Sequence, residues 1–194
     1  MKKIVNYPTK VLRIKTPEIV VVDQELLGDI DDLRKILSNE RAHAAGLAAP
    51  QIDVAKRFFG LVVSNKRELK IFVNPKIVRT FGEKTRPVMV YDNGEKEDFL
   101  EGCLSFPNLF GSVKRYLKIE TQWQEVVGTR QGVFVLVVKN KILEGIEAIA
   151  YQHELDHLDG ILFIDHIKEE KGDIYSWEKD KKIKINIDEI VDLE

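Results

Sequence analysis

Cysteine is almost absent: the 194 residues include one, Cys103. No intrachain disulfide can form, which suits a reducing compartment, so a cytoplasmic location is expected. Neither sign of charge is in excess. Lys and Arg number 30 against 32 Asp and Glu, a net charge of −2, which gives no bulk attraction to nucleic acid or to an anionic membrane surface. No apolar run approaches the length of a membrane span. The stretch from Met1 to Pro8 carries two lysines without an apolar segment behind them, so it does not read as a signal peptide. Internal repeats and low-complexity linkers are missing too. Residues 1–194 are therefore read as one domain, with 167–194 a charged tail or edge strand.

Histidine is scarce as well, with four residues, and two of these fall in His153-Glu154-Leu155-Asp156-His157. This is H-E-x-x-H inside an apolar run of helical period. On a helix, positions i and i+4 are neighbours on one face, so His153 and His157 can point at one metal ion. Glu154 lies beside them, placed to handle a proton of an attacking water. Without a metal, the same residues would be two ordinary histidines of a core helix.

The rest of the chain is α and β in mixed order. Residues 4–22 read as extended or irregular. Asp23 reads as a helix N-cap, followed by Leu26, Leu27, Ile30, Leu33 and Leu37 at helical spacing, with Asp29 among the charges on the other side. Ala44-Ala45-Gly46-Leu47-Ala48-Ala49-Pro50-Gln51 is rich in small residues, which lets backbone approach closely. From 58 to 139 the texture is that of strands, at Phe58 to Val63, Leu69 to Val78, Pro87 to Tyr91, Tyr116 to Trp123 and Val133 to Val138. Turn signals at Ser64-Asn65, Asp92-Asn93-Gly94, Val127-Gly128-Thr129 and Gln131-Gly132 separate them. The last strand is nearly all apolar, so burial on both faces is expected. Glu95 to Asp98 reads as a solvated loop. The helix bearing H-E-x-x-H is expected to begin near Asn140 or Lys141, with Gln152, Asp156 and Asp159 as polar outlets and Gly160 as its stop. Lys182 to Ile187 alternates like an exposed edge strand. The end, Asp188 to Glu194, is mixed in charge and looks strand-like.

A catalytic site of this kind needs a third protein ligand. His166 lies nine residues after His157, and Phe163 occupies the position where a protease of the longer H-E-x-x-H-x-x-G-x-x-H pattern would have histidine. Glu169 and Glu170 sit in a charged tail. Cys103 is the remaining soft donor, held in Glu101-Gly102-Cys103-Leu104-Ser105.

Three separated segments resemble the signature motifs of the peptide deformylases. They are Gly46-Leu47-Ala48-Ala49-Pro50-Gln51, Glu101-Gly102-Cys103-Leu104-Ser105 and Gln152-His153-Glu154-Leu155-Asp156-His157. Order and rough spacing match, and further likeness at Tyr7-Pro8, Asn74-Pro75 and Gly160 to Asp165 extends it over roughly residues 4–166. The resemblance implies an α+β fold in which twisted antiparallel sheets pack around a central metal-binding helix. It implies one divalent ion held by Cys103, His153 and His157, with Fe2+ expected in the cell and Zn2+, Ni2+ or Co2+ as alternatives. The implied reaction removes the N-formyl group from N-formylmethionyl nascent peptides. Glu154 would act as acid–base, with the Gln51 amide and the Leu104 backbone N–H as oxyanion donors. Gly46 would pair with substrate backbone, and Phe99, Glu101, Ile146, Ile149 and Ala150 would form the methionine pocket beside His153, with Arg115 placed to pair with Glu101. A monomer is expected, without a membrane or nucleic-acid partner, and the tail supplies no clear basic helix for docking on a ribosome. Two features depart from the family pattern. Ala44 replaces the usual first glycine of the first motif, and the stretch between Asn74 and Glu101 is long, which suggests an extra loop or hairpin. A zincin-like endopeptidase and a catalytically silent relative are the competing readings; Ala44 alone favours the second of these.

Overall fold

The computed structural model describes residues 2–40, 44–63, 68–178 and 181–191. The turn expected at Ser64-Asn65 and the last three residues of the tail lie outside that set. An extended N-terminal arm carries one 3-10 turn, Lys10–Arg13. Helix α1 (Gln24–Asn39) starts at Asp23, whose carboxylate accepts the Leu26 N–H at 2.8 Å, as the capping signal predicts. Strand β1 (Gly46–Ala48) leads through a second 3-10 turn, Ala49–Ile52, to β2 (Phe58–Val63) and β3 (Glu68–Phe81). Then come β4 (Val88–Val90), β5 (Lys96–Asp98), β6 (Glu101–Cys103), β7 (Phe106–Gly111), β8 (Lys118–Gly128) and β9 (Phe134–Glu144). Helix α2 (Ile146–Leu158) and helix α3 (Phe163–Glu169) precede a final hairpin, β10 (Ile174–Glu178) and β11 (Lys181–Ile185), and a helical turn, α4 (Asp188–Val191).

All pairings between these strands are antiparallel. One sheet has the order β1-β2-β3-β8-β9, a second the order β11-β10-β7-β6, and β4 and β5 form a separate hairpin. Helix α2 packs on the first sheet through an aromatic cluster. Phe59 and Phe72 stack at 5.2 Å, and both meet the edge of Tyr151, at 5.1 and 5.5 Å. Tyr151 is fully buried. Helix α1 covers part of the same sheet, with Leu26, Ile30, Leu33 and Leu37 packed against Leu47, Phe58 and Val73. Helix α3 seals the second sheet through Phe163 and Ile167, which share a core with Phe106, Val113 and Ile174. The architecture is the expected α+β arrangement, antiparallel sheets around one buried helix.

Several local expectations change. Helix α2 begins at Ile146, not near Asn140. Strand β9 pairs with β8 without interruption from Gly128↔Phe134 to Lys118↔Glu144. Ile142 is 47% exposed and Leu143 4%, a period of 2, so the helical match of Ile142 to Ile146 and Ile149 is coincidence. Gly145 separates the two elements with φ +59, a conformation open to glycine, and its N–H donates to Leu117 O at 2.8 Å. Val133 to Val138 is not buried on both faces. Strand β9 is the edge of its sheet, and Phe134, Val135 and Val138 are exposed. Lys96 to Asp98 is a strand and not a loop, because backbone pairing with Val88 to Val90 needs no burial. Asp29 lies buried on α1 and not on its solvent face, since Lys56 reaches it at 2.7 Å. The tail ends in a helical turn instead of a strand, with Ile190 in the same core as Phe163. The expected edge strand is present as β11.

Candidate metal centre and active site

Cys103 is the last residue of β6, before the turn Leu104-Ser105. The β6–β7 register shifts between Gly102 and Cys103, and such an irregularity re-aims a side chain out of the regular pleat. Here it turns the sulfur toward α2. His153 and His157 lie one turn apart on that helix, ring centroids 5.1 Å apart. One donor atom from each of Cys103, His153 and His157 lies within 4.8 Å of the others. Cys103 Sγ is 3.2 Å from His157 Nε2. His166 is not part of this group; its Nε2 lies 2.8 Å from Asp156 Oδ2.

The surroundings fix each donor. His153 Nδ1 faces Glu101 Oε2 at 2.9 Å, which leaves its other nitrogen for the cluster. Glu101 also accepts both arms of Arg115, Nε at 2.8 Å and Nη2 at 2.9 Å, and Arg115 reaches on to Asp156. The expected Glu101–Arg115 pair is therefore a buried fork and not a solvent bridge; Arg115 is 3% exposed. Gln152 and Asp156 are not outlets to solvent. Gln152 brackets the backbone of Tyr116, accepting its N–H and donating to its carbonyl, and Asp156 faces Arg115.

Gln51 arrives from the 3-10 turn behind β1. Its carbonyl accepts the Ala48 N–H at 2.8 Å, so its amide nitrogen points at Cys103 Sγ and Ser105 Oγ, each at 3.3 Å. Leu104 follows Cys103 directly and lines a cleft together with Cys103, His153 and Glu154. Glu154 is buried beside the histidines, and its Oε2 has no hydrogen-bond partner. Burial pushes its carboxyl up to about 7. A Cβ on Gly46 would sit 2.5 Å from Glu154 Oε1 and 2.7 Å from Leu61 Cδ2, so only glycine leaves that carboxylate its place. Burial opposes charge on His153, but the Cys103 sulfur and the Glu101 carboxylate beside it outweigh burial and raise its pKa. Burial and the charge of His153 hold His157 well below the ordinary histidine value. Burial works against the Glu101 anion too, yet Arg115 and His153 bring its carboxyl down to about 2.

A cleft of about 630 Å³ opens over these groups. Gly46, Phe99, Glu101, Ile146, Ile149 and Ala150 all line it, as do Ala44 and Leu104. Glu101 differs from the others, because its carboxylate is held by Arg115 and His153. Ser105, Asp156 and His166 join the site's contacts without a sequence signal that assigns them to it. Ser105 contacts a glutamine 54 positions away, and Asp156 meets an arginine 41 positions away, so no local signal could reveal them. Between Asn74 and Glu101 the chain forms the β4–β5 hairpin, closed at its base by Phe99 N–H donating to Pro87 O at 2.8 Å.

A thiol and two imidazoles around one point are a donor set that suits a borderline divalent ion, and the unpartnered Oε2 of Glu154 lies next to it. With antiparallel sheets around a buried H-E-x-x-H helix, this defines a mononuclear metal-hydrolase class of site. The chain belongs to the polypeptide deformylase family, whose model matches residues 1–173. It is 35% identical over 188 residues to the peptide deformylase of Desulfotalea psychrophila, covering 94% of each chain. The crystal structure of peptide deformylase from Thermotoga maritima superposes with a TM-score of 0.64 at 30% identity, covering 86% of this chain and 97% of that one. The deformylase of Plasmodium falciparum gives a TM-score of 0.67 at 31% identity, covering 87% and 90%.

Proposed function

We propose that this chain hydrolyses the N-formyl group from the N-terminal formylmethionine of newly made polypeptides and releases formate. The observation that carries the reading is the meeting of the Cys103, His153 and His157 donors with the unpartnered Glu154 carboxylate, at a cleft that Cys103, His153 and Glu154 line. In this reading Cys103, His153 and His157 hold one divalent ion, Fe2+ in the cell and Zn2+, Ni2+ or Co2+ as substitutes. When bound, the ion supplies Lewis acidity that makes water a better nucleophile near neutral pH and polarises the formyl oxygen.

The chain's own groups do the rest. The methionine side chain enters between Phe99, Ile146, Ile149 and Ala150, where an unbranched apolar group fits and a charge does not. Gly46 at the edge strand β1 pairs with the peptide backbone as an added strand. As water adds to the formyl carbon, Glu154 takes its proton. The oxyanion that forms is held by the Gln51 amide N–H and the Leu104 backbone N–H, donors typically worth about 3 kcal/mol each in the transition state. The C–N bond then breaks, Glu154 hands the proton to the leaving amine, and formate departs. Glu101 accepts from His153 Nδ1, which fixes the orientation of the ring and leaves its other nitrogen for the ion. The reading places a monomeric chain in the cytoplasm, as a single catalytic unit spanning residues 1–194.

The test is formate release from a formyl-Met peptide by protein loaded with Fe2+ or Ni2+ without oxygen. Turnover is expected; its absence in metal-loaded, folded protein would overturn the proposal.

A further inference from the structure

His166 does not join the metal donors, yet it is not a surface histidine either. It stands on α3, between the fully buried Ile164 and Ile167, so its position is fixed by the core that α3 seals. The helix is fixed at its start as well, where Asp165 accepts the Leu162 N–H at 2.7 Å. From this mount His166 Nε2 meets Asp156 Oδ2 at 2.8 Å, the same oxygen that Arg115 Nη1 reaches. Arg115 then grips Glu101 with its other two nitrogens, and Glu101 Oε2 meets His153 Nδ1. Five side chains thus form one line from α3 to the imidazole face that points away from the donor cluster.

We propose that His166 is a positioning residue for the metal centre, acting through Asp156 and Arg115 on the Glu101–His153 pair. The inference rests on reading Cys103, His153 and His157 as metal ligands. The Nε2–H of His166 fixes which way the Asp156 carboxylate faces. That places one acceptor for Arg115 Nη1 and keeps the guanidinium plane square to Glu101. Glu101 can then hold His153 in the tautomer and orientation that aim its other nitrogen at the ion. A guanidinium with one arm unpaired can swing, and Glu101 and His153 swing with it. Outer partners of a metal histidine typically contribute 10- to 100-fold in affinity, and His166, three links further out, belongs at the low end of that range.

The experiment titrates metal-free protein with Co2+ against a competing chelator, without oxygen, following the absorption of the cobalt–thiolate bond. His166→Phe is expected to weaken Co2+ binding roughly tenfold. His166→Gln, whose amide nitrogen can occupy the Nε2 position, is expected to recover most of the loss. Combining His166→Phe with Asp156→Asn is expected to weaken binding no further than Asp156→Asn alone, because one line of contacts is cut twice. Should His166→Phe fail to fold, His166→Asn is read in its place, since its shorter amide does not reach Asp156. Wild-type affinity in His166→Phe, no recovery in His166→Gln, or additive losses in the double variant would each overturn the proposal. A wild-type protein that takes up no Co2+ would instead overturn the metal-site reading beneath it.

Discussion

Gly46 contributes no side chain, and that leaves room for the Glu154 carboxylate. Gly46→Ala would crowd Oε1, because the added Cβ meets the Glu154 carboxylate on one side and Leu61 Cδ2 on the other. The expected result is retained metal with kcat/KM down by about a hundredfold, the usual cost of misplacing a reacting group by about 1 Å. Glu154→Gln keeps the shape and removes the base. It should bind metal as the wild type does and lose roughly 10²- to 10⁴-fold in kcat. Cys103→Ala should fail at the earlier step, with loss of bound metal seen by elemental analysis; unchanged affinity there would refute the ligand assignment. At this scale the chain was legible where partners are covalent neighbours. His153, Glu154 and His157 share one helical turn, and Glu101 to Ser105 one strand and turn. The line from His166 through Asp156 and Arg115 was not legible, because it joins α2, α3 and the approach to β8 across 10 and 41 positions.

Among the elements, local pattern succeeded where it had a chemical marker. Asp23 announced α1, and Asp92-Asn93-Gly94 marked the turn after β4, although Glu95 to Asp98 read as a loop and not as the partner strand. It failed at Asn140 to Gly145, where apolar residues satisfy two periods at once and only pairing with β8 decides between them. The hairpin itself should be dispensable for folding. Its apolar residues Val88, Met89 and Val90 are exposed, and the bond from Phe99 to Pro87 already closes its base. Replacing residues 88–98 with a short Gly/Ser connection should shift Tm by no more than a few degrees. A chain that no longer melts cooperatively would show instead that the hairpin is part of the core.

For the molecule as a whole, the buried Glu101 contributes to the acid limit. Its folded pKa of about 2 lies below the ordinary 4.5, so the stability it contributes is fully present above 4.5 and is lost as pH falls toward 2. The shift corresponds to about 3 kcal/mol. Denaturant titrations at stepped pH should show this loss in the wild type, and Glu101→Gln should flatten the curve across the same window.

Cys103 hangs from the four-stranded sheet, whereas His153 and His157 belong to the helix lying on the five-stranded one. An ion bonded to all three would therefore be a rivet between the two leaves, beside the N-terminal arm whose backbone already bonds Gln51 O and Ser105 O. It closes a long ring of chain, and a crosslink of that kind disfavours partly opened states much as a disulfide does. The protein has no second cysteine with which to make one. Amide hydrogen exchange should report the rivet directly, slowing in β6 and β7 on metal addition while β8 and β9 change little. The tightness with which the two leaves stay closed would then follow the supply of metal, so that the same ion governs both how the molecule breathes and whether it works.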